Sequence, residues 1–142
     1  MADLDLVRRL GAADHGLVVI AVARPSGTVH TSVVNAGVLD DPDTGQSCVG
    51  FVARGDAKKL DYIRQSGRVA VVFRSGWEWA TVEGSARIIG PGDRAADELA
   101  TLLRDVFKGA GGTHDDWDEY DKVMAAERRA AVLVEPERII TN

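Results

Sequence analysis

Ser47-Cys48-Val49-Gly50-Phe51-Val52-Ala53-Arg54-Gly55-Asp56-Ala57-Lys58-Lys59 is the stretch on which the reading of the fold turns. Ser47 to Val52 is a short apolar run that follows a cluster of turn residues, so it reads as a strand. The character then changes abruptly to basic, with Arg54, Lys58 and Lys59 close together. Asp56 is placed to cap a helix running through Lys58, Leu60, Ile63 and Gln65, and Gly67 suits its C-cap. An apolar strand thus hands over directly to a basic helix start. Helix N-termini present unpaired N–H groups and a partial positive field. Arginine adds a planar fork and lysine a point charge, both suited to phosphate. A solvated helix face would also carry lysines, so an anion site and plain surface charge both remain open here.

Upstream, Leu4 to Leu10 has helical spacing, with Leu4, Val7 and Leu10 on one side and Gly11 placed to end it. Gly16 to Arg24 is a continuous β-branched run, as in a strand covered on both faces. Pro25-Ser26-Gly27 supplies turn chemistry, and Val29 to Val38 completes a hairpin. Leu39 to Gln46 holds Asp40, Asp41, Pro42 and Asp43, which lack the calcium-loop pattern and read as a solvated turn.

Downstream, Val69 to Phe73 is a strand, Gly76 a turn, and Trp77 to Ile89 a long strand. Gly84 inside it predicts a bulge. After Gly90-Pro91-Gly92, Asp93 is placed to cap a helix to Phe107 through Ala96, Leu99, Leu102, Leu103 and Val106. Gly109 to Gly112 reads as a flexible break. Asp115 or Asp116 caps a helix to about Arg128, and Ala130 to Val134 is the last strand before Pro136. The expected class is mainly β (α+β): an antiparallel barrel with one crossing helix and C-terminal helices.

The 142 residues suit one domain, 1–142, and the net charge of −5 argues against nucleic-acid binding as the main function. One cysteine, Cys48, excludes an intrachain disulfide and a cysteine metal site, and its apolar surroundings predict an inert buried thiol. Met1-Ala2-Asp3-Leu4-Asp5 is acidic where a signal peptide is basic, and no apolar stretch is long enough to span a bilayer, so a cytoplasmic location is expected.

Trp77 and Trp79 alternate within the predicted strand and so share a side. They would form a flat apolar wall for a planar ring, a dimer seam, or ordinary core packing. Asn35 sits among apolar residues and must find backbone partners or the edge of a heterocycle. His15 and His30 are isolated, and the aspartates beside His114 are explained by a helix cap rather than a metal site. No nucleophile elbow, Walker A loop, zinc-protease helix or dinucleotide fingerprint occurs. No side chain is marked as acid, base or nucleophile, which fits a protein whose cofactor carries the chemistry.

Several stretches together resemble the pyridoxamine 5'-phosphate oxidase-like split-barrel superfamily, in its actinobacterial branch that uses the deazaflavin coenzyme F-420. They are Pro25-Ser26-Gly27-Thr28-Val29 leading into Thr31 to Asn35, Val52 to Lys59, Tyr62 to Val69, Trp79 to Ala86, and Val134 to Ile139 as a closing strand. The resemblance implies an FMN-binding-like split β-barrel working as a homodimer with the cofactor at the interface. It implies that Arg54 and Lys59, with Lys58 beside them, hold the cofactor phosphate, and that the ring lies against Asn35 and Val52-Ala53. Trp77 and Trp79 would wall the substrate side or the dimer seam. The implied activity is hydride transfer from reduced coenzyme F-420 to a small unsaturated or heteroaromatic substrate. Arg64 and Arg68 would meet the coenzyme's polyglutamate tail. Two alternatives stand beside it: an FMN-dependent enzyme on the same fold, and a non-catalytic flavin- or haem-binding or structural dimer module.

Overall fold

The computed structural model describes residues 3–142. Met1 and Ala2, which belong to the acidic start noted above, lie outside the described residues. Helix α1 (Leu4–Ala13) is capped by Asp3, whose carboxylate accepts from the Asp5 and Leu6 N–H groups. It runs through Gly11 instead of stopping there, because Gly11 is buried where Phe73 packs on it. Strands β1 (Leu17–Ala23), β2 (Val29–Asp40) and β3 (Ser47–Ala53) follow, then α2 (Lys58–Ser66), β4 (Arg68–Ser75) and β5 (Glu78–Ile89). Helices α3 (Ala96–Gly109) and α4 (Trp117–Ala126) precede β6 (Ala130–Val134) and β7 (Arg138–Thr141). β7 was not expected as a separate strand. The turn at Pro136 divides it from β6, and it pairs with the first half of β5.

The strands run in the order β4-β1-β2-β3-β6-β5, and pairing of β4 with β5 closes the barrel. Two long strands belong to both halves of it. β2 pairs with β1 from Val29 to Asn35 and with β3 from Ala36 onward. β5 pairs with β4 as far as Ser85 and with β6 from Ala86. Gly84 stands at that handover, but it is no bulge, since the register with β4 is unbroken through Val69. The glycine is needed because a Cβ there would overlap the Glu135 carbonyl oxygen.

Alternation along the strands fills the interior. Val18, Ile20 and Val22 of β1 meet Val49 and Phe51 of β3, Val71 and Phe73 of β4, and Val132 and Val134 of β6. Val7 and Leu10 of α1 and Leu60 and Ile63 of α2 join the same core. A second core lies outside the barrel wall. There Leu99, Leu102, Leu103 and Val106 of α3 and Tyr120 of α4 cover Cys48 and Leu133. Burial pushes the Cys48 thiol up to about 11, so it is inert as expected. Of β1, only one face is covered. Leu17 and Val19 remain 43% and 41% exposed on the other, although the run predicts cover on both.

Of the two caps expected for the late helices, Asp93 does different work. α3 starts at Ala96 after Ala95, while the Asp93 carboxylate accepts from the Gly90 N–H at 2.8 Å. Gly109 to Gly112 is not a loose break. α3 includes Gly109, whose carbonyl packs so closely on Gly37 that a Cβ at Gly37 would overlap it. Asp116 does cap α4, accepting from the Glu119 N–H at 3.1 Å.

The acidic turn between β2 and β3 is more than solvated. Asp41 is buried and accepts both terminal nitrogens of Arg87 at 3.0 Å, and Asp43 accepts from Arg87 at 2.9 Å and from Arg94. The Arg87 hydrogen bonds hold the Asp41 carboxyl below its ordinary value of 3.8, against the opposing effect of burial. Such a carboxylate stabilises the fold above its unfolded pKa, and the contribution is lost as pH falls through the lower folded value. Arg87→Ala is expected to cost about 1–2 kcal/mol at neutral pH, because Arg87 is partly exposed and water replaces part of its role. Urea unfolding at a series of pH values checks this: the gap to wild type should narrow below about pH 4. A gap that persists unchanged in acid would contradict the assignment.

Candidate functional site

From Val29 to Asn35, β2 has a strand partner only on its β1 side, because β3 takes over at Ala36. Its other edge therefore opens onto a cleft of about 460 Å³, a size that takes a cofactor or drug-sized ligand. Val33, Val34, Val52 and Ala53 give the cleft an apolar lining, and α3 and α4 contribute Val106, Phe107, Tyr120 and Met124. Tyr120 is anchored by donating to the Leu103 carbonyl at 3.1 Å. Its ring packs on Phe107 and Trp117 with centroids 5.1 and 5.3 Å away, so this wall is a cross-braced aromatic cluster.

The polar groups of the cleft gather at the junction of β3 and α2. Arg54, Lys59 and Arg129 all line it. Asp56 does not cap α2. The turn closed by the Ala57 N–H on the Arg54 carbonyl makes Ala57 the cap, and the Asp56 carboxylate lies 3.4 Å from Arg54. α2 thus starts without a side-chain cap, with Asp61 as the acidic residue of its first turn beside Lys59. Lys59 has no carboxylate within ion-pair distance among the described residues. Partial burial first, and the Arg129 charge second, hold its pKa below the ordinary lysine value. Arg129 reaches Glu127 only at 3.4 Å, and its Nε is buried with no partner. Arg54 shares Glu127 at 3.3 Å and is otherwise exposed. Under-neutralised cations with an orphaned guanidinium N–H fit an anionic group.

Of the residues singled out in the sequence, Asn35, Val52, Ala53, Arg54 and Lys59 are brought together here. Asn35 Nδ2 donates to the His15 carbonyl at 3.1 Å, latching a turn in which His15 itself has a left-handed φ of 58°. Its side-chain oxygen remains free to accept. Lys58, beside Lys59 in the chain, is exposed and does not line the cleft, because the next position along α2 faces inward. Trp77 and Trp79 do not line the cleft either. The turn at Gly76 includes Trp77, so the strand begins at Glu78 and the alternation that paired the two rings does not apply. Trp77 is 94% exposed at the hairpin tip, and Trp79 lies half-buried opposite Arg74, away from the cleft. Sequence reasoning missed Arg129, Tyr120, Phe107 and Met124. The pair Arg128-Arg129 after the last helix was the visible signal, but its approach to α2 is a tertiary fact.

A second groove, of about 510 Å³, lies beside the first, and Arg64 and Arg128 line it with Gly55. Arg54 and Arg129 face one cleft, and the next and previous residues, Gly55 and Arg128, line the other. Arg68 lines neither and bonds Glu137 at 2.9 Å.

No family model matches the chain. Solved structures do resemble it. A conserved hypothetical protein from Mycobacterium tuberculosis superposes with a TM-score of 0.72 at 16% identity, over 99% of this chain and 84% of the other. A pyridoxamine 5'-phosphate oxidase-related, FMN-binding protein from Nostoc punctiforme gives 0.61 at 17% identity, over 96% of this chain and 78% of the other. An F-420 reductase gives 0.61 at 14% identity, over 90% and 91%. At these identities the likeness is one of fold, and it is the split β-barrel of pyridoxamine 5'-phosphate oxidase-like proteins.

Proposed function

We propose that this chain, which has the split β-barrel fold of pyridoxamine 5'-phosphate oxidase-like proteins, is a flavin-type oxidoreductase that works with coenzyme F-420 and reduces a small unsaturated or heteroaromatic substrate. The observation that carries the reading is the meeting of Lys59, Arg54 and Arg129 at one end of an apolar cleft along an open strand edge. When bound, the reduced cofactor supplies a hydride. The chain's part is to bind and orient. Lys59, Arg54 and Arg129 hold the phosphate, Val52 and Ala53 give the ring an apolar seat, and Asn35 offers a free amide oxygen to a ring N–H. Phe107, Tyr120 and Met124 exclude water from the reacting face.

The second groove favours F-420 over FMN. A polyglutamate tail leaving the phosphate would pass Gly55 toward Arg128 and Arg64, the latter also paired with Asp61 at 3.3 Å, whereas Arg68 lies outside the groove on Glu137. FMN has no tail for that groove to hold. The partner in this reading is a second copy of the chain. Val33, Val19 and Val72 are cross-strand neighbours on the outer face of β2, β1 and β4, and Val33 is 65% exposed at the cleft. A copy covering that apolar stripe would close the open side of the cleft.

A side-by-side titration with coenzyme F-420 and FMN, followed by tryptophan quenching and by sedimentation, tests the reading. Tight F-420 binding with a weak FMN response, on a dimer, is expected. Preference for FMN would move the chain to the FMN-dependent alternative. Binding of neither would sink both enzyme readings in favour of a non-catalytic module.

A further inference from the structure

Helices α3 and α4 leave a third groove between them, of about 200 Å³. Leu99 and Leu103 of α3 are its buried floor, and Ala96, Ala100 and Ala125 are small enough to leave it open. An apolar cavity of about 150 Å³ takes a benzene ring, so one aromatic ring fits here. The rim is cationic, although the chain as a whole is acidic. Arg94 bonds Asp43, and the groove's own carboxylate, Asp121, is taken up by Arg104. Arg128 is exposed, with no carboxylate within ion-pair distance among the described residues. Its backbone is unusual as well, with a left-handed φ of 52°. The Arg128 N–H donates to the Ala125 carbonyl at 3.1 Å and the Arg129 N–H to the Met124 carbonyl at 2.9 Å. They close α4 in a turn whose left-handed position normally belongs to glycine. An arginine held there costs stability, and residues kept in such states cluster where ligands bind. Met124 and Arg129 line the cleft as well as this groove, so they form the wall between the two.

We propose that the α3–α4 groove captures the substrate, a single-ring aromatic or heteroaromatic carboxylate, and that Met124 is the passage from the groove to the cleft. The ring lies on Leu99 and Leu103, and the carboxylate accepts from the planar fork of Arg128. Methionine suits a passage, since its unbranched side chain turns about three bonds and refills the space it leaves. The proposal rests on the reductase reading above for what happens in the cleft, but not for the groove or its ligand class. In that reading a second copy covers the open edge of β2, and the α3–α4 side is the approach left to a substrate. Arg128 also borders the second groove, so the cofactor tail and the substrate carboxylate meet the same guanidinium from opposite sides.

The test uses the full chain, with benzoate as the probe and benzamide as its uncharged counterpart. The chain has two methionines, Met1 and Met124, so methyl-labelled protein gives two methionine NMR signals, and Met124→Leu assigns them. Benzoate should shift the Met124 signal and bind about tenfold more tightly than benzamide, the worth of a charge-assisted hydrogen bond. Arg128→Gly should remove that preference yet melt no lower than wild type, because glycine suits the left-handed position. Arg128→Lys should keep part of it. Ala100→Trp and Ala125→Trp crowd the groove from either helix without lining the cleft. Both should weaken benzoate and leave F-420 and FMN affinity unchanged. In the F-420-loaded protein, benzoate should also give a nuclear Overhauser contact to the deazaflavin ring, and its absence removes Met124 as the passage. If Met124 stays unmoved, or neither tryptophan variant weakens benzoate, or Arg128→Gly keeps the preference, the groove assignment falls, and a successful cofactor titration leaves the reductase reading standing. If benzoate behaves as expected but neither cofactor binds, the carboxylate groove stands and the reductase reading falls.

Discussion

Lys59→Ala is expected to weaken binding of the phosphorylated cofactor by about 1.5–3 kcal/mol, the usual size of a hydrogen bond to a charged group. The size follows from what surrounds the ammonium. Lys59 is half-buried at the uncapped start of α2, without a carboxylate partner among the described residues. An arriving phosphate therefore displaces no competing anion from Lys59. Arg54 differs, because it already shares charge with Asp56 and Glu127 and stands in water, so its removal should cost less. Lys58→Ala is the control, since that side chain points to solvent. Isothermal titration of the three variants checks the order. Equal losses at Lys58 and Lys59 would mean that only diffuse charge matters, and an unchanged affinity for Lys59→Ala would remove the phosphate assignment.

Gly84→Ala should lower the stability of the fold by about 3 kcal/mol or more, the upper range for overpacking. The added methyl would meet a backbone carbonyl, that of Glu135, and not the far end of a flexible side chain. Relief requires moving the segment that leaves β6, whose Glu135 N–H donates to Ser85 at 2.9 Å. That movement would disturb the point where β5 passes from β4 to β6. Gly11→Ala makes a useful contrast. Its methyl would make ordinary contact with Phe73 at 3.5 Å, and a helix interior favours alanine over glycine. Urea denaturation should show Gly84→Ala strongly destabilised and Gly11→Ala near or above wild type. A mild Gly84→Ala would show that the crossing yields easily.

The barrel was legible in the chain because its signals are local. Alternation in β2 and β4, continuous apolar runs in β1 and β3, and turn residues at Pro25-Ser26-Gly27 and Gly76 each report on a few adjacent residues. Errors arose where a neighbour distant in sequence decided the outcome. Gly11 stays helical because Phe73 packs on it, and Asp93 serves the Gly90 N–H instead of a helix. The acidic turn reads as solvated until Arg87 arrives from β5.

The candidate site divides in the same way. The sequence by itself determined the strand-to-helix junction, and with it Val52, Ala53, Arg54 and Lys59, since spacing along one chain places them together. Only the tertiary structure decided that Lys59 and not Lys58 faces the cleft, that Trp77 stands in solvent, and that Arg129 joins the cations. The physical reason is range. Periodicity and capping act over a turn of chain, whereas burial and charge act between any residues the fold brings together.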